Sequence, residues 1–227
     1  MIVEFFGSSG SGKTAVVRHL DDREPRLHRR CANGWHRLTF GDVAREPERR
    51  LKFALSPLAS PSFALACRKE LSSKASFQDL GDLCFRNWYT QRLRRFPNEA
   101  HILDEGPLHR TCALASIGVV YSPASLLEQI SLPDLAIYMH VDEDVAFDRL
   151  LHRLQAAGHQ PTPRRRDRIR SRHRNYVRAA EAIAASGKLP VVTIDSNVDR
   201  AEAIGQVKKV LERVVPPELH VTSPTSF

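Results

Sequence analysis

In the stretch FFGSSGSGKTAVV, the spacing Gly7-x-x-x-x-Gly12-Lys13-Thr14 has the form of a polyphosphate-binding loop, the Walker A pattern. Gly7, Ser8, Ser9, Gly10, Ser11 and Gly12 are small enough for the backbone to wrap round phosphate oxygens with its N–H groups pointing inward. Lys13 is long enough to reach β- and γ-phosphates, and the Thr14 hydroxyl suits Mg²⁺. A flexible Gly/Ser linker has the same composition, so the flanks decide. MIVEFF before the run reads as a strand and KTAVVRHL after it as a helix, which adds a helix N-terminus to the phosphate site.

Carboxylates and arginines elsewhere extend this chemistry. Asp104 follows the apolar HIL and is placed to hold Mg²⁺, directly or through water, beside Thr14. Glu105 is placed to orient or deprotonate a substrate hydroxyl, or merely to cap the next helix. Asp42, in FGD, is either a substrate-binding group or a turn residue. Arg110, six residues after Asp104, is assigned to the acceptor site. In RRRDRIRSRHR, seven arginines from Arg164 to Arg174 face only Asp167. On a closing lid, arginines such as Arg164 and Arg168 neutralise charge spreading over a phosphoryl group in flight. A solvated helix face and a grip on nucleic-acid phosphates are the alternatives. Arg18 reads as surface, while Phe85, Trp88, Tyr89, His173 and Tyr176 read as core.

These groups need elements to carry them. A second strand is expected in WHRLTFGD, with the preceding REPRLHRRCANGW irregular, and helices broken near Pro57 and Pro61 should fill 46–74. Ser76-Phe77-Gln78-Asp79 has capping-box spacing, with Asp in place of Glu, and opens a helix. HILDEGP and LAIYMHV read as strands, and LHRTCALASIG as a helix stopped by Gly118. DEDVAFDRLLHRLQAAG has acids in its first turn and Gly158 at its end, so it reads as a helix. After a loop through GHQPTPRR come the helix DRIRSRHRNYVRAAEAIAAS, the strand LPVVTID and the helix VDRAEAIGQVKKVLERVV. Alternating strands and helices specify one α/β domain over 1–215, a three-layer doubly wound parallel sheet with its ligand beyond the strands' carboxyl ends. The arginine-rich lid covers about 158–172, and 216–227 is a polar tail expected to be disordered.

Composition narrows the classes of function. The 227 residues carry a formal net charge of +8, mostly from arginine, which favours an anionic partner. The four cysteines have no zinc-type spacing. No apolar run approaches a membrane span, and the opening has no basic region before a long apolar run. A cytoplasmic protein with reduced thiols is the expectation.

The set resembles the thymidylate kinase-like branch of the P-loop nucleoside and nucleotide kinases. The resemblance rests on EFFGSSGSGKT, ILDEGP, LPDLAIYMHVDEDVAFDRL, the arginine run, NYVRAAE and VVTID. It implies that Gly7–Thr14 bind ATP and Mg²⁺, that Asp104 is the acid ending the third strand, and that the arginines near 164–168 form the lid. Kinases of this kind often form homodimers. The chain departs from the family's Asp-Arg-Tyr, having Asp104-Glu105-Gly106 there. The missing arginine is one that helps hold an acceptor phosphate, so a small kinase is implied more firmly than a nucleoside monophosphate acceptor. A kinase or binding protein for nucleic-acid ends is the second reading. A nucleotide-binding switch is the third, since no Asn-Lys-x-Asp guanine motif is present.

Overall fold

The computed structural model describes residues 1–23, 28–30, 61–97 and 100–215. Five parallel strands form one sheet: β1 (Ile2–Phe6), β2 (His28–Arg30), β3 (His101–Leu103), β4 (Leu135–His140) and β5 (Val191–Asp195), in the order β2-β3-β1-β4-β5. Strand β1 is central and wholly buried, as a parallel strand covered on both faces must be. Period-two alternation then sorts its side chains. Val3 and Phe5 join Leu135, Ile137 and Met139 of β4 under helices α1 (Lys13–Arg23) and α8 (Arg200–Val214). Phe6, with Ala136 and Tyr138, faces the other way, and the Phe6 and Tyr138 rings stack at 5.1 Å.

That second face is covered by α2 (Pro61–Glu70), α3 (Phe77–Leu93), α4 (Pro107–Ser116), the short α5 (Pro123–Leu126) and α7 (Pro163–Ala185). Helix α6 (Glu143–Ala156) packs against α7. The architecture is the expected three-layer doubly wound sheet. Parallel order puts the ends of β1 and β3, and the loops leaving them, side by side. Among the described residues no helix is long and apolar enough to cross a membrane.

Several local expectations hold in detail. Ser76 caps α3 through the reciprocal box with Asp79, and Gly118 and Gly158 adopt positive φ just beyond α4 and α6. Two expectations are corrected. His28–Arg30, read as irregular, is a strand in register with His101–Leu103 of β3. Its charged residues carry no apolar alternation, so pairing with β3 and not pattern makes it a strand. Helix α7 starts at Pro163, four residues before the predicted Asp167. Thr162 accepts a hydrogen bond from the Arg165 amide, and Pro163 occupies the first helical position, where a missing N–H costs nothing. The arginine run is therefore helical. The expected strand in WHRLTFGD, Asp42 and the tail at 216–227 lie outside the described residues.

Candidate functional site

The loop after β1 reaches α1 through Gly7–Gly12, at the carboxyl edge of the sheet. Its turns need glycine where neighbours are closest. Gly10 has φ 92°, and a Cβ there would stand 2.5 Å from the Ala146 carbonyl oxygen of α6. Arg149 of α6 braces the same turn, donating to the carbonyls of Gly10 at 3.3 Å and Ser196 at 2.9 Å.

Lys13 and Asp104 meet beneath this loop. The Lys13 ammonium donates to Asp104 Oδ1 at 2.7 Å and to the Asp104 carbonyl at 2.5 Å. The Lys13 side chain is 6 % exposed and that of Asp104 is fully buried, so the pair is shielded from water. The Thr14 hydroxyl lies 3.5 Å from the same Oδ1. A hydroxyl and a carboxylate oxygen side by side are the hard donors Mg²⁺ takes, and these two residues would hold it. Glu105 Oε1 is 3.8 Å from Lys13 Nζ and 3.9 Å from His109 Nε2. The Glu105 carbonyl accepts from buried Arg86, which is itself held by Asp82.

A buried acid stands on the far side of Gly106. Glu4, on β1, is 0 % exposed, and its Oε1 accepts the His109 amide at the start of α4 at 2.8 Å. Gly106 has no side chain to cap α4, so the strand carboxyl does it. Burial pushes the Glu4 carboxyl up to about 7, against the opposing pull of the His109 and Leu108 amides and of Arg86 and Lys13.

Two cavities open at the loop. One, of about 460 Å³, is lined by residues 7–15 with Arg18, Glu105, His109, Arg149 and Arg153. The other, of about 360 Å³, lies between α4, α6 and α7, with Phe147, Leu150 and Ile169 in its wall beside Arg110, Arg170 and Glu143. Ser8, Ser9 and His109 line both.

The structure brings Gly7–Thr14, Asp104 and Glu105 together. Arg110 lines the second cavity but is engaged by Asp79 at 2.8 Å and Asp82 at 2.7 Å. Arg164 and Arg168 are not among the loop's neighbours. They line a third cleft with Arg165, Arg172, Leu150 and Leu154.

Sequence reasoning missed four groups. Arg149 and Arg153 stand four apart on α6, a cationic face visible in the periodicity. His109 carried no motif. Tyr176 is core, as expected, but its hydroxyl accepts the Gly7 amide at 3.0 Å and lies 2.8 Å from His109 Nδ1. A tyrosine on an apolar helix face is itself a signal, because its buried hydroxyl needs a partner.

No family model matches the sequence, and no curated protein matches it significantly. Solved structures do match. A deoxyadenosine kinase from M. mycoides, with the products dCMP and a flexible dCDP bound, superposes with a TM-score of 0.56 at 15 % identity. The match spans 94 % of this chain and all of that one. The same enzyme with bound dATP gives 0.53 at 14 % identity, over 93 % of this chain and all of that one. With bound dCTP it gives 0.50 at 14 % identity, over 94 % and all. The chain shares its fold with these deoxyadenosine kinase structures. At this identity the likeness establishes architecture over nearly the whole length.

Proposed function

We propose that this chain is an ATP- and Mg²⁺-dependent kinase that moves the γ-phosphate to a nucleoside, a nucleotide or a similar polar metabolite. The observation that carries the reading is the meeting of two cavities at Ser8, Ser9 and His109, one over the phosphate-binding loop and one walled by both apolar and charged side chains. The first suits the triphosphate and the second a ring-bearing acceptor. Lys13 would leave Asp104 for the phosphates, freeing Asp104 and Thr14 for Mg²⁺. Thr14 and Asp104 would hold the ion, which when bound would supply charge neutralisation for the phosphates. Glu105 would orient the acceptor hydroxyl or take its proton. Arg110 would face the acceptor, and Arg164 and Arg168 would act from the lid. Asp42 is retained as a substrate-binding candidate.

Within a thymidylate kinase-like branch, Glu105 favours a neutral hydroxyl over a monophosphate, since a carboxylate repels a second anion. The nucleoside kinase fold of the solved neighbours agrees with that preference. A cytoplasmic homodimer is part of the same reading, checked by sedimentation. A second reading, action on nucleic-acid ends, draws on the third cleft, which Arg164, Arg165, Arg168 and Arg172 line without an acid.

The test is coupled ADP release with ATP and Mg²⁺ against nucleosides, nucleoside monophosphates, sugars and short oligonucleotides. Stimulation by a nucleoside, absent in Lys13→Ala, is expected. Stimulation by oligonucleotides alone would favour the second reading, and none by any acceptor would overturn the kinase assignment.

A further inference from the structure

His109 is fixed at two points. Its amide donates to Glu4 on β1, and its Nδ1 lies 2.8 Å from the Tyr176 hydroxyl on α7. The ring is 18 % exposed and lines both cavities. Tyr176 is 5 % exposed, and its oxygen already accepts the Gly7 amide, the first of the phosphate-binding loop. A phenol has one proton and two lone pairs. With one lone pair given to the Gly7 amide and the other open to the S–H of buried Cys112, its proton is left for His109 Nδ1. Burial raises the Tyr176 hydroxyl well above its ordinary value, which keeps that proton on the oxygen. A neutral imidazole accepting at Nδ1 carries its own proton on Nε2, which stands 3.9 Å from Glu105 Oε1, beyond hydrogen-bond distance.

We infer that Tyr176 is a positioning residue that holds His109 in the Nε2–H form, and that His109 donates from Nε2 to the phosphoryl group passing between the two cavities. The inference rests on the kinase reading above. It adds a hydrogen-bond donor placed where charge develops, and it ties that donor to the loop that grips the nucleotide.

Long-range ¹H–¹⁵N spectra of the histidine rings of the full chain read the tautomer directly. One ring, lost in His109→Gln, is expected to show an unprotonated Nδ1 and a protonated Nε2. Its signals should move when a non-hydrolysable ATP analogue is added with Mg²⁺, and Tyr176→Phe should abolish the tautomer preference while circular dichroism stays unchanged. With an acceptor from the panel, His109→Gln should lower kcat roughly a hundredfold, with the KM for ATP within about threefold of wild type. Tyr176→Phe should lower kcat about tenfold and cost nothing further in the His109→Gln background, because it acts through the same ring. A wild-type His109 protonated at Nδ1, or additive losses in the double variant, would overturn the inference. Failure of the analogue to bind wild type in a Lys13-dependent way would instead sink the kinase reading, with the tautomer still legible.

Discussion

Two acids at the carboxyl edge of the sheet, Asp104 beyond β3 and Glu4 on neighbouring β1, are both fully buried, yet they live in opposite environments. Asp104 holds an ammonium at 2.7 Å and has a hydroxyl beside it. Glu4 is held by the first amides of α4, with Lys13 and Arg86 acting only at a distance. Amides alone do not offset full burial, so Glu4 is poised to accept a proton near pH 7. Chemistry gathers round the first acid, and the second anchors the helix that carries His109.

Disrupting the Lys13–Asp104 side should have the largest effect. Lys13→Ala should lower kcat about a thousandfold in the coupled assay. It should also cost about 3–5 kcal/mol in urea unfolding, because Asp104 is left buried without its cation. Lys13→Ala with Asp104→Asn should recover much of that stability and none of the activity. On the Glu4 side, the folded carboxyl titrates near 7 against 4.5 for the ordinary group, so the folded state binds the proton more tightly. Its stabilising effect is therefore complete below about pH 4.5 and lost as pH rises through 7. Glu4→Gln should gain on wild type over that window, by up to about 3 kcal/mol at pH 8 in paired urea titrations. An unchanged difference between pH 4.5 and pH 8 would refute the contrast between the two acids.

Gly106 sharpens the same contrast at smaller amplitude. A Cβ there would stand 2.5 Å from the Glu4 carboxyl, so Gly106→Ala should destabilise by about 2 kcal/mol. Most of that loss should vanish in a Glu4→Ala background, where the obstructing atoms are gone. The smallest effect is expected at an exposed helix start. Ser76→Ala, which breaks the box with Asp79, should cost about 1 kcal/mol by thermal melting.

Features that depend on near neighbours in sequence were legible. Glycine spacing marked the tight loop between β1 and α1, apolar runs marked β1, β3, β4 and β5, and Ser76 and Gly118 marked helix ends. The α7 start was also present, in Thr162-Pro163, but was hidden by the charge of the residues that follow. Features that depend on pairing across the fold were not legible. Strand β2 exists through β3, and Glu4 looks like an ordinary strand residue until α4 is set above it. Asp104 was assigned by its place after a strand, yet its contact with Lys13 spans 91 residues of sequence. Tyr176 and Gly7, which meet through one hydrogen bond, are 169 residues apart.

Helix α7 is one unbroken rod of 23 residues, and this sets the mechanics of its arginines. Arg164 lies twelve residues from Tyr176, about 18 Å along the axis. Between those two points Arg170 holds Glu143 and Asp144, and Arg174 holds Glu143, clasping α7 to α6. The arginine end and the loop end of the helix are thus joined by one rod, and three carboxylate–guanidinium contacts tie it to α6 between the two ends.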